Sequence, residues 1–452
     1  MKHPLPFFGA ALLGAAILLS AGCCSSDEAK APVVETPKPA DPAAEIRLTA
    51  SIAGDNFIFQ RGETIRFRVS CLAGDEPALR TIRYNLSGDG GFSQSGDVVT
   101  ENGAAEVPAH LDYPGWLNIR FTLLDGEGKT TQKAAAIGAL IEPEKLAPAK
   151  PEPADFDAFW ASVRAELAKV PMTATREPAK PMVKSVETYD VKVTCPGAMP
   201  VSGYLSMPVD KSRRYPAIAV YHGAGVRSSH RPDQIAAKGA IVFNVNAHGI
   251  ENGHDAAYYR EIDQTTLKDY RLRNADSREK IYFHDMYLRV LRSLEYLRSL
   301  PEWNGKDLIV VGGSQGGAQT IFAAANDPAV TLAAAGVPAL CDHAGVLSIP
   351  ARQSGWPRFY KAAEPGVPAD PVVASQVAYY DGVFFARRIT CETFFSTGLC
   401  DTTCVPTSVY TAYNNLPEAT KKTIEINPRG THSTSKNPKA WARIDEILNN
   451  AR

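Results

Sequence analysis

The sequence predicts a doubly wound α/β domain preceded by a small all-β sandwich, and three patterns support this prediction. Short runs with period-two alternation fill residues 45–141, which is typical of antiparallel sheets with one buried face. From residue 155 onward, continuous apolar runs alternate with helical segments, as in a parallel sheet covered by helices. One such run, over 307–317, ends in glycines that flank a serine and then opens a helical segment.

The composition excludes several classes of function. The 452-residue chain has 48 basic and 49 acidic side chains, and its net charge is −1. No basic cluster with interleaved aromatics occurs, so we expect no nucleic-acid partner. His222, His248 and His254 are dispersed without carboxylate spacing, and no Cys/His spacing is typical of zinc. We therefore expect no metal and no cofactor, and these histidines should pack or contact substrate.

The first residues have the pattern of a bacterial lipoprotein leader. Residues 1–22 combine Lys2, an apolar stretch and small residues ahead of Cys23, which resembles a lipobox. The apolar run is short for a membrane span. We expect residues 1–22 to be removed and Cys23 to carry lipid, which would anchor the protein to a bacterial membrane in the cell envelope. A plain secretory signal cleaved nearby is the alternative, and Cys24 fits the small-residue rule less well.

The next segments divide the chain before its main domain. Residues 23–44 are rich in Ala, Pro, Ser, Lys and Glu, which is typical of an extended tether. Residues 45–141 form the predicted sandwich, with alternating runs at 64–69, 81–86 and 117–123. It has no clustered candidates for chemistry, so spacing, packing on the next domain and weak glycan contact stay open as its roles. Residues 142–154 are a proline-rich linker.

The α/β domain is predicted over residues 155–452. Asp155 is placed to cap a helix running to about Lys169, whose apolar stripe is typical of a core face. An amphipathic helix is predicted at 282–300 and a final one at 441–448. Strands are predicted at 186–193, 203–207, 216–221, 240–245, 307–313, 332–337, 393–397 and 423–426.

The glycine-flanked serine predicts a nucleophile elbow. Gly312 and Gly316 lie two residues either side of Ser314, where the turn is too tight for side chains and the serine is held in a strained conformation. The following helix points its amides at the same spot. An ordinary glycine-rich turn also fits this motif taken alone. The strand before it and the helix after it favour the elbow, with Ser314 as nucleophile.

A serine nucleophile needs a base and an orienting carboxylate, and α/β-hydrolases supply them in the order serine, acid, histidine. Downstream of Ser314, His343 comes too early for this order, whereas His432 follows the last predicted strand, so His432 is the predicted base. Asp401 follows a strand end and is the predicted acid. Asp342, which also follows a strand, and Asp381 are its rivals.

Backbone amides are the candidates for stabilising the oxyanion. Tyr221 ends a buried strand and is followed by His222, Gly223 and further small residues that allow a substrate close to the backbone. The amides of Tyr221 and Gln315 are therefore the predicted oxyanion hole. Among the remaining cysteines, Cys400 and Cys404 are near enough in sequence to pair after export, but spacing assigns no disulfide.

Several motifs in one order resemble the acetyl xylan esterase and cephalosporin C deacetylase family of carbohydrate esterases. They are the segments 155–160 (DFDAFW), 166–171 (ELAKVP), 312–317 (GGSQGG), 379–383 (YYDGV), 398–401 (GLCD) and 409–414 (VYTAYN). The resemblance covers about residues 155–452. It implies an α/β-hydrolase with the triad Ser314, Asp401 and His432, oxyanion amides from Tyr221 and Gln315, and a small acetyl ester on a sugar as substrate.

Two positions depart from the pattern of that family. Residues 247–249 are Ala-His-Gly where the family usually has Arg-Gly-Gln, and Ser433 follows His432 where glutamate is usual. The acyl and polysaccharide preference therefore stays open. We predict a serine esterase that deacetylates xylan-type polysaccharide or its oligomers. A prolyl-oligopeptidase-like peptidase and an inactive surface glycan-binding lipoprotein are the alternatives.

Overall fold

The computed structural model describes residues 45–451, in which β-strands of the first hundred residues precede a large mixed sheet covered by helices. The predicted leader 1–22, Cys23 and the tether 23–44 lie outside the described residues. The strands are β1 (Ile46–Ile52), β2 (Ile58–Phe59), β3 (Ile65–Ala73), β4 (Glu76–Pro77), β5 (Thr81–Gly88), β6 (Ser93–Val99), β7 (Ala104–Ala109), β8 (Gly115–Leu124), β9 (Thr130–Ile141), β10 (Ala174–Ala179), β11 (Val186–Val193), β12 (Val201–Pro208), β13 (Tyr215–Tyr221), β14 (Ile241–Asn246), β15 (Trp303–Gly313), β16 (Leu332–Gly336), β17 (Ala362–Glu364), β18 (Val367–Pro368), β19 (Glu392–Gly398) and β20 (Lys422–Asn427). The α-helices are α1 (Phe156–Ala168), α2 (Asp233–Ala236), α3 (Ala256–Gln264), α4 (Tyr282–Ser299), α5 (Gln315–Asn326), α6 (Pro371–Val377), α7 (Gly382–Ala386), α8 (Pro406–Asn414) and α9 (Pro438–Asn450).

Strands β1–β9 form two sheets that enclose a shared apolar core. One sheet contains β1, β3, β4 and β7, and the other has the order β2-β9-β8-β5-β6. Strand β3 alternates between buried and exposed side chains along most of its length, as its sequence pattern predicts. Its buried side chains, such as Phe67 and Val69, pack with Ile119 and Phe121 of β8. All named pairs are antiparallel except β2 with β9.

The large sheet has the order β10-β11-β12-β14-β13-β15-β16-β19-β20. The strands from β14 to β20 in this order are parallel to their neighbours, whereas β10, β11 and β12 pair antiparallel. Alternate residues of the central strands enter two different cores. Val310 packs on the face that carries α1, α4, α5, α7 and α8, and Val311 packs on the face that carries α2 and α9. Helices on both faces of a mostly parallel sheet confirm the predicted α/β-hydrolase fold.

One local prediction in this region was wrong. Asp155 does occupy the position before α1, but its carboxylate makes no capping hydrogen bond. It pairs with Arg278 at 2.9 Å and accepts the hydroxyl of Tyr379. A charged partner makes a stronger hydrogen bond than a backbone amide does, so the carboxylate ties α1 to distant parts of the chain and leaves the helix end uncapped.

The two sheets of β1–β9 lie directly against the α/β layers, and the described residues form one compact unit. Trp116 and Leu140 from the sandwich pack with Leu399, Val405 and Tyr410 of the larger domain. This small apolar core lies under the loop that follows β19, and the residues predicted as acid and base are nearby. Packing is therefore what the structure supports among the roles left open for the sandwich.

Candidate active site

Ser314 sits in the sharp turn between β15 and α5. Its φ of 58° and ψ of −122° lie outside the regions that L-residues favour. The flanking glycines are required by close backbone approach. A Cβ on Gly312 would lie 2.3 Å from the carbonyl oxygen of Gly316, and one on Gly316 would lie 2.0 Å from that of Tyr221. These distances explain why the elbow has glycines at both positions and how it holds a strained serine.

His432 joins the serine to a carboxylate. Its Nε2 is 2.9 Å from Ser314 Oγ, and its Nδ1 is 2.7 Å from Asp401 Oδ2. A carboxylate only accepts hydrogen bonds, so Nδ1 carries the proton and donates it, while Nε2 accepts from the serine hydroxyl. The imidazole is 30% exposed, which leaves it open to a substrate and to water. The arrangement has the geometry needed to take a proton from Ser314.

Asp401 is fully buried in the loop after β19. Its Oδ2 faces His432, and its Oδ1 accepts amide hydrogens from Thr403 at 2.8 Å and Cys404 at 3.0 Å. These amide donors compensate for the loss of water around the carboxylate. They also fix the direction in which the other oxygen points, so Asp401 is held in position toward His432.

The rival acids contact other partners. Asp342 pairs with Arg352 at 2.9 Å, and burial raises its pKa to about 6. Asp381 accepts amide hydrogens from residues 342, 343 and 383, and burial raises its pKa to about 6 as well. His343 is buried against Phe359, and burial lowers its pKa to about 3. None of the three has a hydrogen bond to Ser314, Asp401 or His432.

The backbone around the nucleophile brings the two predicted oxyanion residues together. Tyr221 is the last residue of β13 and pairs with Gly312, and Gln315 is the first residue of α5. The first amides of a helix have no partner within the helix and carry partial positive charge. A Cβ on Gly223, two residues beyond Tyr221, would lie 3.4 Å from Ser314 Cβ. Tyr221 and Gln315 thus flank the nucleophile, and their role as oxyanion donors stays a prediction.

The loop after β13 is supported by a buried polar network. This network includes residues 247–249, where the sequence departs from the family pattern. The amide of Ala247 donates to His222 Nε2 at 3.1 Å, and His222 Nδ1 lies 2.7 Å from the carbonyl of Gly223. His222 is therefore neutral with its proton on Nδ1, and burial lowers its pKa to about 4. His248 Nε2 contacts the carbonyl of Gly225 at 3.2 Å, which extends the same support along the loop.

The hydroxyl of Tyr270 connects that loop to the elbow. It accepts the amide hydrogen of Gly225 at 3.3 Å and donates to Gln315 Oε1 at 3.3 Å. The ring of His248 packs edge-on against Tyr270, with centroids 4.8 Å apart. The two histidines thus serve packing, which was one of the two roles left open by the sequence, and hydrogen bonding to the backbone, which the sequence did not predict. Tyr270 was missed because a tyrosine in a polar loop has no motif that marks it.

The sandwich contacts the loops that carry Asp401 and His432. Trp116 Nε1 and Asn118 Nδ2 both donate to the carbonyl oxygen of Leu399, at 2.8 and 3.0 Å, two residues before Asp401. The amide of Gly138 donates to the carbonyl of Pro428 at 2.9 Å, four residues before His432. Sequence reasoning missed these side chains because their partners are backbone carbonyls, which leave no signature in the sequence.

The described residues also bear on the predictions about metal sites, membrane-spanning helices and disulfides. Within residues 45–451 no group of three His, Cys, Asp or Glu side chains is arranged to hold a metal ion. No helix in the described part of the chain is both long and apolar enough to cross a membrane. The six cysteines of that part, among them Cys400 and Cys404, are free thiols.

The model of the family described as acetyl xylan esterase (AXE1) matches residues 139–444. The chain belongs to this family. It is therefore a carbohydrate esterase and a serine carboxylic ester hydrolase, which confirms the predicted class of enzyme. The match begins in β9 and ends within α9, and it includes all three residues of the hydrogen-bonded chain.

One relative of this esterase extends the likeness beyond the α/β domain. The acetyl esterase Axe7A of Xylanibacter ruminicola is 33% identical over 391 residues, which are 84% of this chain and 85% of that protein. The solved acetyl xylan esterase of Paenibacillus sp. R4 is 23% identical with a TM-score of 0.55, and it covers 68% of this chain and 98% of its own. Acetyl xylan esterase 1 of Thermoanaerobacterium sp. JW/SL YS485 is 22% identical with a TM-score of 0.56, and it covers 68% and 96%. These two structures support the fold.

Proposed function

We propose that this esterase removes acetyl groups from xylan-type polysaccharides or oligosaccharides through an acyl-enzyme formed on Ser314. The observation that carries the proposal is the hydrogen-bonded chain from Asp401 through His432 to Ser314 Oγ, at 2.7 and 2.9 Å. Family membership and the acetyl esterase relative support the choice of an acetylated sugar.

The reaction follows from the positions of these groups. Ser314 Oγ attacks the acetyl carbonyl carbon while His432 Nε2 takes the hydroxyl proton. The amides of Tyr221 and Gln315 stabilise the negative oxygen of the tetrahedral intermediate. Its collapse breaks the bond between the carbonyl carbon and the sugar oxygen, and His432 protonates that oxygen as the sugar leaves. Water then attacks the acetyl-enzyme with His432 as base, and acetate departs as Ser314 regains its proton.

Asp401 stabilises the imidazolium and selects its tautomer. In Asp401→Asn the retained oxygen can still accept the amides of Thr403 and Cys404, so an N–H group would face His432 Nδ1. His432 would then present a proton to Ser314 and could not act as base. We expect kcat on acetylated xylo-oligosaccharides to fall about 10³- to 10⁴-fold in this variant.

Ser314→Ala tests the nucleophile directly. Acetate release from acetylated xylan, acetylated xylo-oligosaccharides and 4-nitrophenyl acetate would be measured for the wild type, Ser314→Ala and Asp401→Asn. We expect both variants to lose nearly all activity, and the wild type to react with a fluorophosphonate that leaves Ser314→Ala unlabelled. A Ser314→Ala protein with normal activity would refute the mechanism. A wild type that is not labelled would favour the inactive glycan-binding alternative, and cleavage of peptide amides in preference to acetate esters would favour the peptidase.

We propose further that Cys23 carries a lipid and holds the enzyme at a membrane of the cell envelope. The support is the pattern of residues 1–22 ahead of Cys23. Incorporation of labelled fatty acid in cells expressing the wild type and Cys23→Ala would test it. We expect only the wild type to incorporate the label and to be found in the membrane fraction. Equal labelling and equal membrane partition of the two proteins would contradict the anchor.

A further inference from the structure

A cleft of about 410 Å³ opens beside the nucleophile. Its floor is formed by the backbone of Gly223, Gly312 and Gly313, which are the residues next to the predicted oxyanion donors and to Ser314. Its far wall is formed by residues 435–437 and 441, which begin three positions after His432. The cleft thus lies between the loop after β13 and the loop that carries His432. The sugar chain that bears the scissile ester would extend into this space.

Two cations line this cleft, and no carboxylate does. The Arg227 guanidinium donates to the carbonyls of Gly223 and Ala224, at 3.3 and 2.8 Å. Lys436 is exposed on the opposite wall. Neither side chain has an ion-pair partner among residues 45–451. Since the whole chain has a net charge of only −1, this positive potential is local to the site and would favour an anionic group there.

The same cleft offers the apolar surface that a pyranose ring needs. Trp441 on α9 lines it and is 39% exposed, which is unusual for a side chain of its size. An exposed indole can stack on the C–H face of a sugar and keep its polar edge in water. The side-chain polar atoms of Asn437 and the hydroxyl of Ser396, which also line the cleft, have no hydrogen-bond partner among the described residues.

We propose that this cleft is a subsite for a uronic acid residue that neighbours the acetylated sugar. Its ring would lie on Trp441, and its carboxylate would face Arg227 and Lys436. This inference rests on the proposed deacetylase function and narrows its substrate to acidic, uronic-acid-bearing oligosaccharides. A neutral sugar would use the indole but leave both cations without a partner, so the acidic substrate has the lower KM.

Kinetics on paired substrates test the subsite. The kcat and KM for acetate release would be measured on acetylated xylo-oligosaccharides with and without a glucuronic acid branch, and on 4-nitrophenyl acetate. The variants are Lys436→Glu, which reverses one charge, and Trp441→Ala, which removes the stacking surface. Lys306→Glu is the matched control, because Lys306 is an exposed lysine at the opposite end of β15.

We expect the wild type to prefer the acidic oligosaccharide, with a preference that falls as salt is raised. Lys436→Glu should raise KM for the acidic substrate about 5-fold relative to the neutral one, the effect of an exposed ion pair worth about 1 kcal/mol. Trp441→Ala should raise KM for both oligosaccharides, and Lys306→Glu should match the wild type.

The outcomes separate the two proposals. Equal kcat/KM on acidic and neutral oligosaccharides, with the same ratio in Lys436→Glu, would overturn the uronic acid subsite while deacetylation stands. A wild type that releases acetate from 4-nitrophenyl acetate but from neither oligosaccharide would overturn the proposed function and the subsite with it.

Discussion

Two buried carboxylates of this enzyme, Asp401 and Asp89, differ in how well polar groups compensate for their burial. Asp401 is fully buried, but two amides and an imidazole satisfy its oxygens. Asp89, in the sandwich, is buried as deeply, yet only its Oδ1 has a partner, the amide of Gln353 at 2.9 Å. The groups that face Asp89 are the Thr407 hydroxyl, the Arg352 cation and the Asp342 carboxylate. Burial dominates at this position and raises the pKa of Asp89 to about 7.

This raised pKa predicts a pH dependence of stability. The folded protein keeps the proton of Asp89 up to about pH 7, whereas an unfolded chain releases it near pH 4, so the free energy of unfolding falls between these values as pH rises. Asp89→Asn cannot release that proton. The difference in the free energy of unfolding between this variant and the wild type should therefore shift in favour of the variant by about 2 kcal/mol from pH 5 to pH 8. Denaturant unfolding at each pH would measure it.

The exposed Asp276 supplies the control, since Asp276→Asn changes an identical side chain that has no ion pair or side-chain hydrogen bond among residues 45–451. Its stability should follow the wild type at every pH. The free energy of unfolding of Asp89→Asn could instead change with pH as that of the wild type does. The Asp89 carboxyl would then have the same proton affinity in the folded and unfolded states, and our interpretation of its burial would be wrong.

At the scale of secondary structure elements, burial decided which strands the sequence could predict. Strands β13, β14 and β15 were predicted from continuous apolar runs because both faces of a parallel sheet are covered. Strand β10 was missed because it is an edge strand whose side chains are nearly all exposed, so no apolar pattern marks it. Patterns of burial are visible in a sequence, whereas hydrogen bonding along an exposed edge is not.

Strand β8 supports a prediction about catalysis. Asn118→Leu would remove one of the two donors that hold the Leu399 carbonyl while keeping a side chain of similar size. One hydrogen bond is worth about 1 kcal/mol, so we expect kcat to fall about 5-fold through a displaced Asp401. A displaced Asp401 should also lower the rate constant for labelling of Ser314 by a fluorophosphonate in the folded protein, which a general loss of stability would not do.

Asn85→Leu is the matched substitution, because Asn85 is exposed on β5 of the same sheet. It should leave kcat and the labelling rate constant as in the wild type. Equal kcat values and equal labelling rate constants for the two leucine variants would contradict a positioning role for Asn118.

At the scale of the whole molecule, chain order predicted that three side chains of the site lie together, and it predicted little else of the site. Ser314, Asp401 and His432 follow strand ends in the order that an α/β-hydrolase requires, so their proximity could be inferred before any coordinates. The contacts of Gly138 and Trp116 could not, because each hydrogen bond ends on a carbonyl in a distant segment. Such contacts depend on how two layers dock, which no local pattern specifies.

Gly138 shows how closely the sandwich and the catalytic loops approach each other. A Cβ at this position would lie 2.2 Å from the carbonyl oxygen of Leu399, closer than any real contact. The added side chain in Gly138→Val should therefore clash with this backbone and displace β9 from the loops that carry Asp401 and His432. We expect lower kcat and faster hydrogen exchange at residues 398–404 and 428–432, measured by mass spectrometry. Gly126→Val is the control, because nothing lies within 4 Å of a Cβ there. Unchanged exchange in Gly138→Val would mean that the sandwich does not hold these loops in place.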